Sequence, residues 1–127
     1  MSNKDFKILE IAIKELVERY KNTNYQGQCF KIAFETFVFL AERGIYPKLV
    51  HANINIENNI LGHAWVEYYN VVIDLTLDNN DWIQDIHEYY KLAQIGQIIK
   101  YDMNQIQKLI LKYGNQFVWC DWIVYKE

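Results

Sequence analysis

The sequence predicts an α+β fold, in which N-terminal helices pack on an antiparallel sheet. Residues 4–43 contain two segments whose apolar side chains recur at helical spacing, and residues 48–76 contain segments that alternate like strands. A tight turn inside the second region favours antiparallel over parallel pairing. We find no linker, repeat or low-complexity segment in the 127 residues, so one domain spanning 1–127 is predicted.

The first region predicts two helices joined by a loop. Apolar residues at alternating steps of three and four define the inner face of a helix over 4–21: Phe6, Leu9, Ile13, Leu16 and Tyr20. Residues 22–28 are polar, contain a glycine and predict a loop. The segment from Cys29 to about Arg43 is apolar around most of its circumference, which is typical of a helix buried in the middle of a domain. Gly44 is the expected end of that helix.

The strand region begins with residues 48–56, where apolar residues alternate with polar ones and predict a half-buried strand. Residues 57–61 are expected to form a turn. The stretch GHAWVEYYNVVIDLT, residues 62–76, then predicts a hairpin with Tyr69 and Asn70 in its turn, because Asn tolerates the positive φ that such turns require.

This hairpin register separates two kinds of side chain. The expected pairs are Tyr68 with Val71, Val66 with Ile73 and Ala64 with Leu75, so that one face is entirely apolar. The opposite face carries His63, Trp65, Glu67, Val72, Asp74 and Thr76. On that face Trp65 lies opposite Asp74, and His63 and Asp74 become diagonal neighbours, roughly 7–8 Å apart at the backbone and within side-chain reach.

The C-terminal half is less regular. Residues 77–85 are acidic and predict irregular structure, and residues 88–101 are ambiguous between helix and strand. A helix is expected from Asp102 or Asn104 to Tyr113, and an aromatic strand over 116–125.

Composition narrows the function classes. A net charge of −3 without any block of Lys or Arg argues against nucleic acid or an anionic membrane as the partner. No apolar run is long enough to cross a membrane, and the N-terminus lacks a signal-peptide pattern. Two cysteines, Cys29 and Cys120, are too few for a disulfide framework, so a cytoplasmic protein is predicted, although one disulfide between them stays open.

An imidazole oriented by a carboxylate supplies two parts of a nucleophilic triad, and Cys29 is the candidate for the third. It opens the second helix, where the partial positive charge of the helix N-terminus favours a thiolate. The backbone N–H of Cys29 would be a natural oxyanion donor. The preceding loop could add a side-chain amide from Gln28 or Gln26. Trp65, on the same strand face as His63, is a further candidate for substrate contact.

These segments resemble the transglutaminase-like superfamily of papain-like cysteine enzymes. The resemblance covers roughly residues 26–76, and its motifs are Gln28-Cys29-Phe30, Gly44-Ile45, Leu49-Val50, Gly62-His63-Ala64-Trp65-Val66-Glu67 and Val72-Ile73-Asp74-Leu75-Thr76. It implies a papain-like core, with Cys29 as nucleophile, His63 as general base and acid, and Asp74 as the residue that orients His63. Members include transglutaminases, peptidases, deamidases and peptide-maturation proteases. Neither a cofactor nor a metal is predicted.

The predicted function is therefore a cysteine enzyme that acts on amide bonds of a protein or peptide through an acyl-thioester. Hydrolysis is favoured over amine transfer, because no site for a second substrate can be identified. The alternative is a non-catalytic binding or scaffold protein, since a cysteine that opens an apolar helix is more often a buried packing residue. His51 is expected on a polar strand face with a structural role, His87 in solvent, and Tyr89 and Tyr90 either in a peptide groove or in the core.

Overall fold

The computed structural model describes residues 1–22, 29–56, 58–76, 82–92 and 94–113. Within these ranges the elements follow in the order α1 (Asn3–Tyr20), α2 (Cys29–Ala41), β1 (Lys48–Ile56), β2 (Asn59–Tyr68), β3 (Val71–Ile73), β4 (Ile83–Asp85), α3 (Ile86–Leu92), β5 (Gln94–Tyr101) and α4 (Met103–Tyr113). The strands form one sheet with the order β4-β3-β2-β1-β5, and every pairing is antiparallel. The α+β class and the antiparallel sheet are therefore confirmed.

Helix boundaries follow local chemistry. Ser2 caps α1 by accepting a hydrogen bond from the backbone N–H of Asp5 on its side-chain oxygen, at 3.1 Å. Beyond α2, Gly44 has a φ of 81°, a left-handed conformation that glycine adopts without a steric penalty. The N–H of Ile45 then donates to the carbonyl of Leu40 at 3.0 Å, which returns the chain toward β1.

The sheet separates two hydrophobic clusters. One face packs against α1, α2 and α4 through Leu9, Leu16, Phe37, Leu40, Leu49, Val66, Ile73 and Ile106. The other face packs against α3 and contains Val50, Ala52, Ile54, Trp65, Val72 and Tyr89. Both faces of β1 and β2 are therefore buried. The side of β1 that was expected to be polar, around His51, faces α2, and the side of β2 that was expected to be polar, around Trp65, faces α3. None of the helices in the described ranges combines the length and the apolar character that crossing a membrane requires.

Two sequence-based assignments change, and one ambiguous segment is resolved. Residues 83–85, expected to be irregular, form the edge strand β4. The ambiguous segment 88–101 divides into α3 and β5, and β5 pairs with β1 with a register irregularity between Ala52 and Ile54. The turn predicted over 57–61 is shorter, because β2 begins at Asn59. The aromatic strand predicted over 116–125 lies outside the described residues.

Asp102, one of the two residues predicted as a cap, fixes the start of α4. Its carboxylate accepts the backbone N–H of Gln105 at 2.9 Å, and the side chain of Gln105 accepts the backbone N–H of Asp102 at 2.9 Å. This reciprocal pair satisfies two donors that a helix start leaves without an intrahelical partner.

Candidate active site

His63 lies on β2 opposite Ala52 of β1, and the β2–β3 hairpin further along has the register that its sequence predicts. Tyr68 pairs with Val71 and Val66 with Ile73, as expected. Positive φ falls on Tyr69, at 53°, and not on Asn70. The carbonyl of Asn70 instead accepts the N–H of Ile86 at 2.9 Å, which ties the turn to the start of α3.

Asp74 reaches His63 without the strand pair that was expected to bring it there. β3 ends at Ile73, so the pairs of Ala64 with Leu75 and of Trp65 with Asp74 do not form. The N–H of Asp74 donates to the carbonyl of Trp82 at 2.9 Å instead. The side chain nevertheless turns toward β2, and the distance from His63 Nε2 to Asp74 Oδ2 is 2.8 Å.

Cys29 approaches His63 from the start of α2. α2 packs against β2, and its first turn lies beside the end of the hairpin, since Cys29, Ala64, Asp74 and Thr76 surround one small gap. The thiol of Cys29 acts on the pKa of the His63 imidazole through a side-chain hydrogen bond and its charge, so the two groups are neighbours. Since Nε2 of His63 is bonded to Asp74, the ring nitrogen that remains for Cys29 is Nδ1.

The carboxylate of Asp74 is buried but fully supplied with donors. The residue is 2% exposed, and its Oδ2 accepts hydrogen bonds from His63 Nε2 and from the hydroxyl of Tyr89, each at 2.8 Å. Its Oδ1 accepts from the backbone N–H of Thr76 at 3.0 Å and from the Thr76 hydroxyl at 2.6 Å. Such an Asp side chain, bonded to the backbone two residues onward, is typical of a turn and explains why the chain bends here.

Electrostatics favour a charged pair of His63 and Asp74. Burial alone lowers the pKa of His63, but the hydrogen bonds to Asp74 and Cys29 and the negative charges of both raise that pKa to about 10. Burial raises the pKa of Asp74, yet the bonds from His63, Thr76 and Tyr89 together lower it below its ordinary value. An ionised carboxylate can only accept, so Nε2 of His63 carries the proton in this hydrogen bond.

The site is partly open to solvent. The side chain of His63 is 19% exposed and that of Asp74 is 1% exposed, while Cys29 has intermediate exposure. A partly exposed thiol and imidazole above a buried carboxylate form an arrangement that a small carbonyl compound could reach.

Trp65 does not occupy the position that was expected of it. It is 0% exposed and belongs to the hydrophobic cluster beneath α3, so its indole is not available to a substrate. Its Nε1–H donates to Glu67 Oε2 at 2.8 Å, and its ring lies 5.7 Å from that of His63 between centroids. The indole of Trp65 thus packs next to the imidazole of His63. Gln26 and Gln28, the loop residues predicted to add a side-chain amide to the oxyanion site, lie outside the described residues.

The remaining histidines take no part in the site. His51 is 2% exposed and lies on the sheet face opposite to His63, with its ring 5.4 Å from that of Phe30. The prediction of a polar strand face around His51 is wrong, because α2 covers that face. His87 is exposed on α3, as expected. Among the described residues, no group of three or more His, Cys, Asp or Glu side chains could hold a metal ion.

Sequence reasoning overlooked Tyr89 and Thr76 as partners of Asp74. The spacing Asp74–Thr76 could have revealed the Thr76 contact, since Asp followed two residues later by Thr is typical of a side-chain turn. No local signal marks Tyr89, because it reaches Asp74 from a helix 15 residues further along the chain.

A second buried carboxylate, Glu67, lies two residues from Trp65 and has a separate set of partners. It is 5% exposed and accepts hydrogen bonds from Trp65 Nε1, from the hydroxyl of Tyr90 and from Lys100 Nζ, the last at 2.8 Å. A cavity of about 530 Å³ borders Glu67 and Lys100. None of Cys29, His63 and Asp74 lines this cavity, so it is a feature apart from the Cys29 site.

Comparisons with protein-family models, with curated protein sequences and with solved structures each return no match.

Proposed function

We propose that this protein is a cysteine-nucleophile enzyme that acts on amide bonds of a protein or peptide through an acyl-thioester intermediate. The observation that carries the proposal is the 2.8 Å hydrogen bond between His63 Nε2 and Asp74 Oδ2, with the thiol of Cys29 acting on the same imidazole. We further propose the papain-like, transglutaminase-like architecture that residues 26–76 resemble.

The first half-reaction forms the acyl-enzyme. The thiolate of Cys29 attacks the substrate carbonyl carbon, a C–S bond forms, and the carbonyl π electrons move to oxygen. The backbone N–H of Cys29, at the first position of α2, has no intrahelical partner and is a candidate donor to that oxyanion. When the C–N bond breaks, His63 gives the proton on Nδ1 to the leaving amine, and the acyl group remains on sulfur.

The second half-reaction reverses these roles. A water molecule attacks the thioester carbonyl while the now neutral His63 takes its proton at Nδ1. The C–S bond then breaks, the carboxylic acid leaves, and the thiolate–imidazolium pair is restored. Asp74 keeps its negative charge throughout and stabilises the imidazolium at Nε2. We propose hydrolysis over amine transfer, because no site for a second substrate is evident among the described residues.

An acyl-transfer experiment with a simple activated ester tests this proposal. Wild-type protein mixed with p-nitrophenyl acetate should release p-nitrophenolate in a burst and then continue slowly, and mass spectrometry should find one acetyl group on Cys29. Cys29→Ala should lose the burst, Cys120→Ala should keep it, and His63→Gln should slow it.

The opposite pattern would contradict the proposal. Equal, slow acetylation of Cys29 and Cys120 that is unaffected by His63→Gln would show that Cys29 is an ordinary thiol. That result would favour the non-catalytic alternative, a binding or scaffold protein.

A further inference from the structure

Tyr89 and Tyr90 are adjacent residues of α3, and their hydroxyl groups bind two different buried carboxylates. The hydroxyl of Tyr89 donates to Asp74 Oδ2 at 2.8 Å, and that of Tyr90 donates to Glu67 Oε2. Both rings pack on Trp65, with centroid distances of 5.1 Å for Tyr89 and 6.2 Å for Tyr90. The two tyrosines therefore have similar surroundings, but only the carboxylate that Tyr89 binds is also bonded to His63.

One oxygen atom of Asp74 links Tyr89 to His63. Oδ2 accepts from both of them, whereas the donor to Oδ1 among the described residues is Thr76, through its backbone N–H and its hydroxyl. A donor to a carboxylate oxygen withdraws part of its negative charge, and this weakens the hold of the same oxygen on its other donor. Tyr89 also restricts rotation of the carboxylate, because Oδ2 is held from two directions.

We propose that Tyr89 is a positioning residue of the candidate active site. Its hydroxyl holds Asp74 Oδ2 in line with His63 Nε2 and limits how strongly His63 retains its proton. This inference rests on the proposed function, in which His63 must give up a proton to the leaving group and later take one from water. An imidazolium that faced an unshared carboxylate oxygen would release its proton less readily.

The surroundings of Tyr89 keep it a donor. The residue is 6% exposed, and burial together with the charge of Asp74 raises the pKa of its phenol well above the ordinary value. In the described part of the chain, the titratable groups that act on His63 are Cys29 from α2 and Asp74 after β3. Those that act on Tyr89 are Asp74, Cys29 and its neighbour Tyr90. The phenol therefore does not ionise in competition with His63.

The matched pair Tyr89→Phe and Tyr90→Phe provides the test. Each variant removes one hydroxyl from the same helix and keeps the ring on Trp65. The pKa of His63 is measured by NMR from the ring nitrogens of ¹⁵N-labelled protein, with the signal assigned by its loss in His63→Gln. Tyr89→Phe should raise that pKa by about half a unit or more, whereas Tyr90→Phe should leave it unchanged.

A purely structural role for Tyr89 predicts something else. In that case Tyr89→Phe would lower the melting temperature and leave the pKa of His63 unchanged, or both variants would move that pKa equally. Either result would overturn the proposal.

A second variant covers the case in which Tyr89→Phe does not fold. Site-specific incorporation of 3-fluorotyrosine at position 89 keeps the hydroxyl and makes it a stronger donor, so the pKa of His63 should fall. An unchanged or raised value would overturn the proposal. Because none of these measurements needs turnover, they remain informative if p-nitrophenyl acetate shows that the proposed enzyme activity is wrong.

Discussion

Replacing Asp74 with Asn tests the role of the charge at the base of the site. The change keeps the size of the side chain, but only one of its two terminal atoms can still accept. The backbone N–H of Thr76 donates to Oδ1, and a backbone N–H can only donate. The oxygen of the Asn side chain is therefore expected at that position. The amide NH₂ would then face His63 Nε2 and the hydroxyl of Tyr89.

This amide orientation forces a specific tautomer on His63. Nε2 must accept from the NH₂, so a neutral imidazole carries its proton on Nδ1, the nitrogen that faces Cys29. Because Nδ1 already carries a proton, the neutral imidazole can no longer accept the proton of the Cys29 thiol. The imidazolium form is disfavoured as well, because its Nε2–H would point at another donor. Both effects reduce the thiolate–imidazolium pair in Asp74→Asn.

The size of the loss follows from the pKa of His63. The hydrogen bond to Asp74 is the largest of the interactions that raise the pKa of His63 from 6.5 to about 10 against the effect of burial. Each unit by which it falls reduces the population of the charged pair about tenfold. We therefore expect Asp74→Asn to decrease the reactivity of Cys29 near neutral pH by about ten- to a thousand-fold, the range that a fall of about one to three units would give.

Alkylation by iodoacetamide provides the measurement. The rate constant for Cys29 is followed by peptide mass spectrometry between pH 5 and 8, alongside that of Cys120 in the same sample. We expect the wild-type rate to exceed that of Asp74→Asn by the factor above, while circular dichroism shows that the variant is folded. If the folded variant reacted as fast as the wild type across this range, Asp74 would not control the thiolate, and the charged-pair mechanism would be wrong.

Three further predictions concern stability and the face on which each residue lies. Leu75→Asn places a polar group in the cluster beneath α2, where Leu75 is 3% exposed, so it should lower the free energy of unfolding by about 1–3 kcal/mol while the folded fraction keeps a reactive Cys29; a stable but unreactive variant would contradict this. Cys29→Ala should abolish acyl transfer with a small change in melting temperature, because Cys29 is only partly buried and Ala suits the start of a helix; a large drop would mark Cys29 as a packing residue. The raised pKa of His63 contributes stability that is complete below about pH 6.5 and is lost as pH rises through about 10, at most about 5 kcal/mol at 1.36 kcal/mol per pH unit. Urea titrations between pH 6.5 and 10 should show this decline in the wild type but not in His63→Gln, and equal slopes in the two proteins would exclude it.

The hairpin shows what a local pattern can determine. The alternation of residues 64–73 predicts the register that the structure has, because a slip by one residue would move the apolar side chains Val66 and Ile73 out of the core. The same alternation led to the expectation that Asp74 continues the ladder, and this is wrong. The ladder ends at Ile73 because Asp74 bonds to Trp82 through its N–H and to Thr76 through its side chain.

The burial of the other hairpin face could not be predicted from the same residues. Trp65, Glu67 and Val72 are covered by α3, whose segment has no clear period in the sequence. Whether an alternating strand has one buried face or two depends on distant segments that return to cover it, and local periodicity carries no information about them. For that reason Trp65 was expected at the surface, and Tyr89 was not recognised as a partner of Asp74.

Glu67 serves as an internal comparison for Asp74. Both carboxylates are nearly inaccessible, Glu67 on β2 and Asp74 directly after β3, and each is bound by one tyrosine of α3. Burial and hydrogen bonding are therefore too general to identify an active site by themselves. The partners differ: Glu67 binds the ammonium of Lys100 and the indole of Trp65, neither of which is a nucleophile or a base at neutral pH. Asp74 instead binds an imidazole that has a thiol as its neighbour, and this difference is why we propose acyl transfer at Asp74 and not at Glu67.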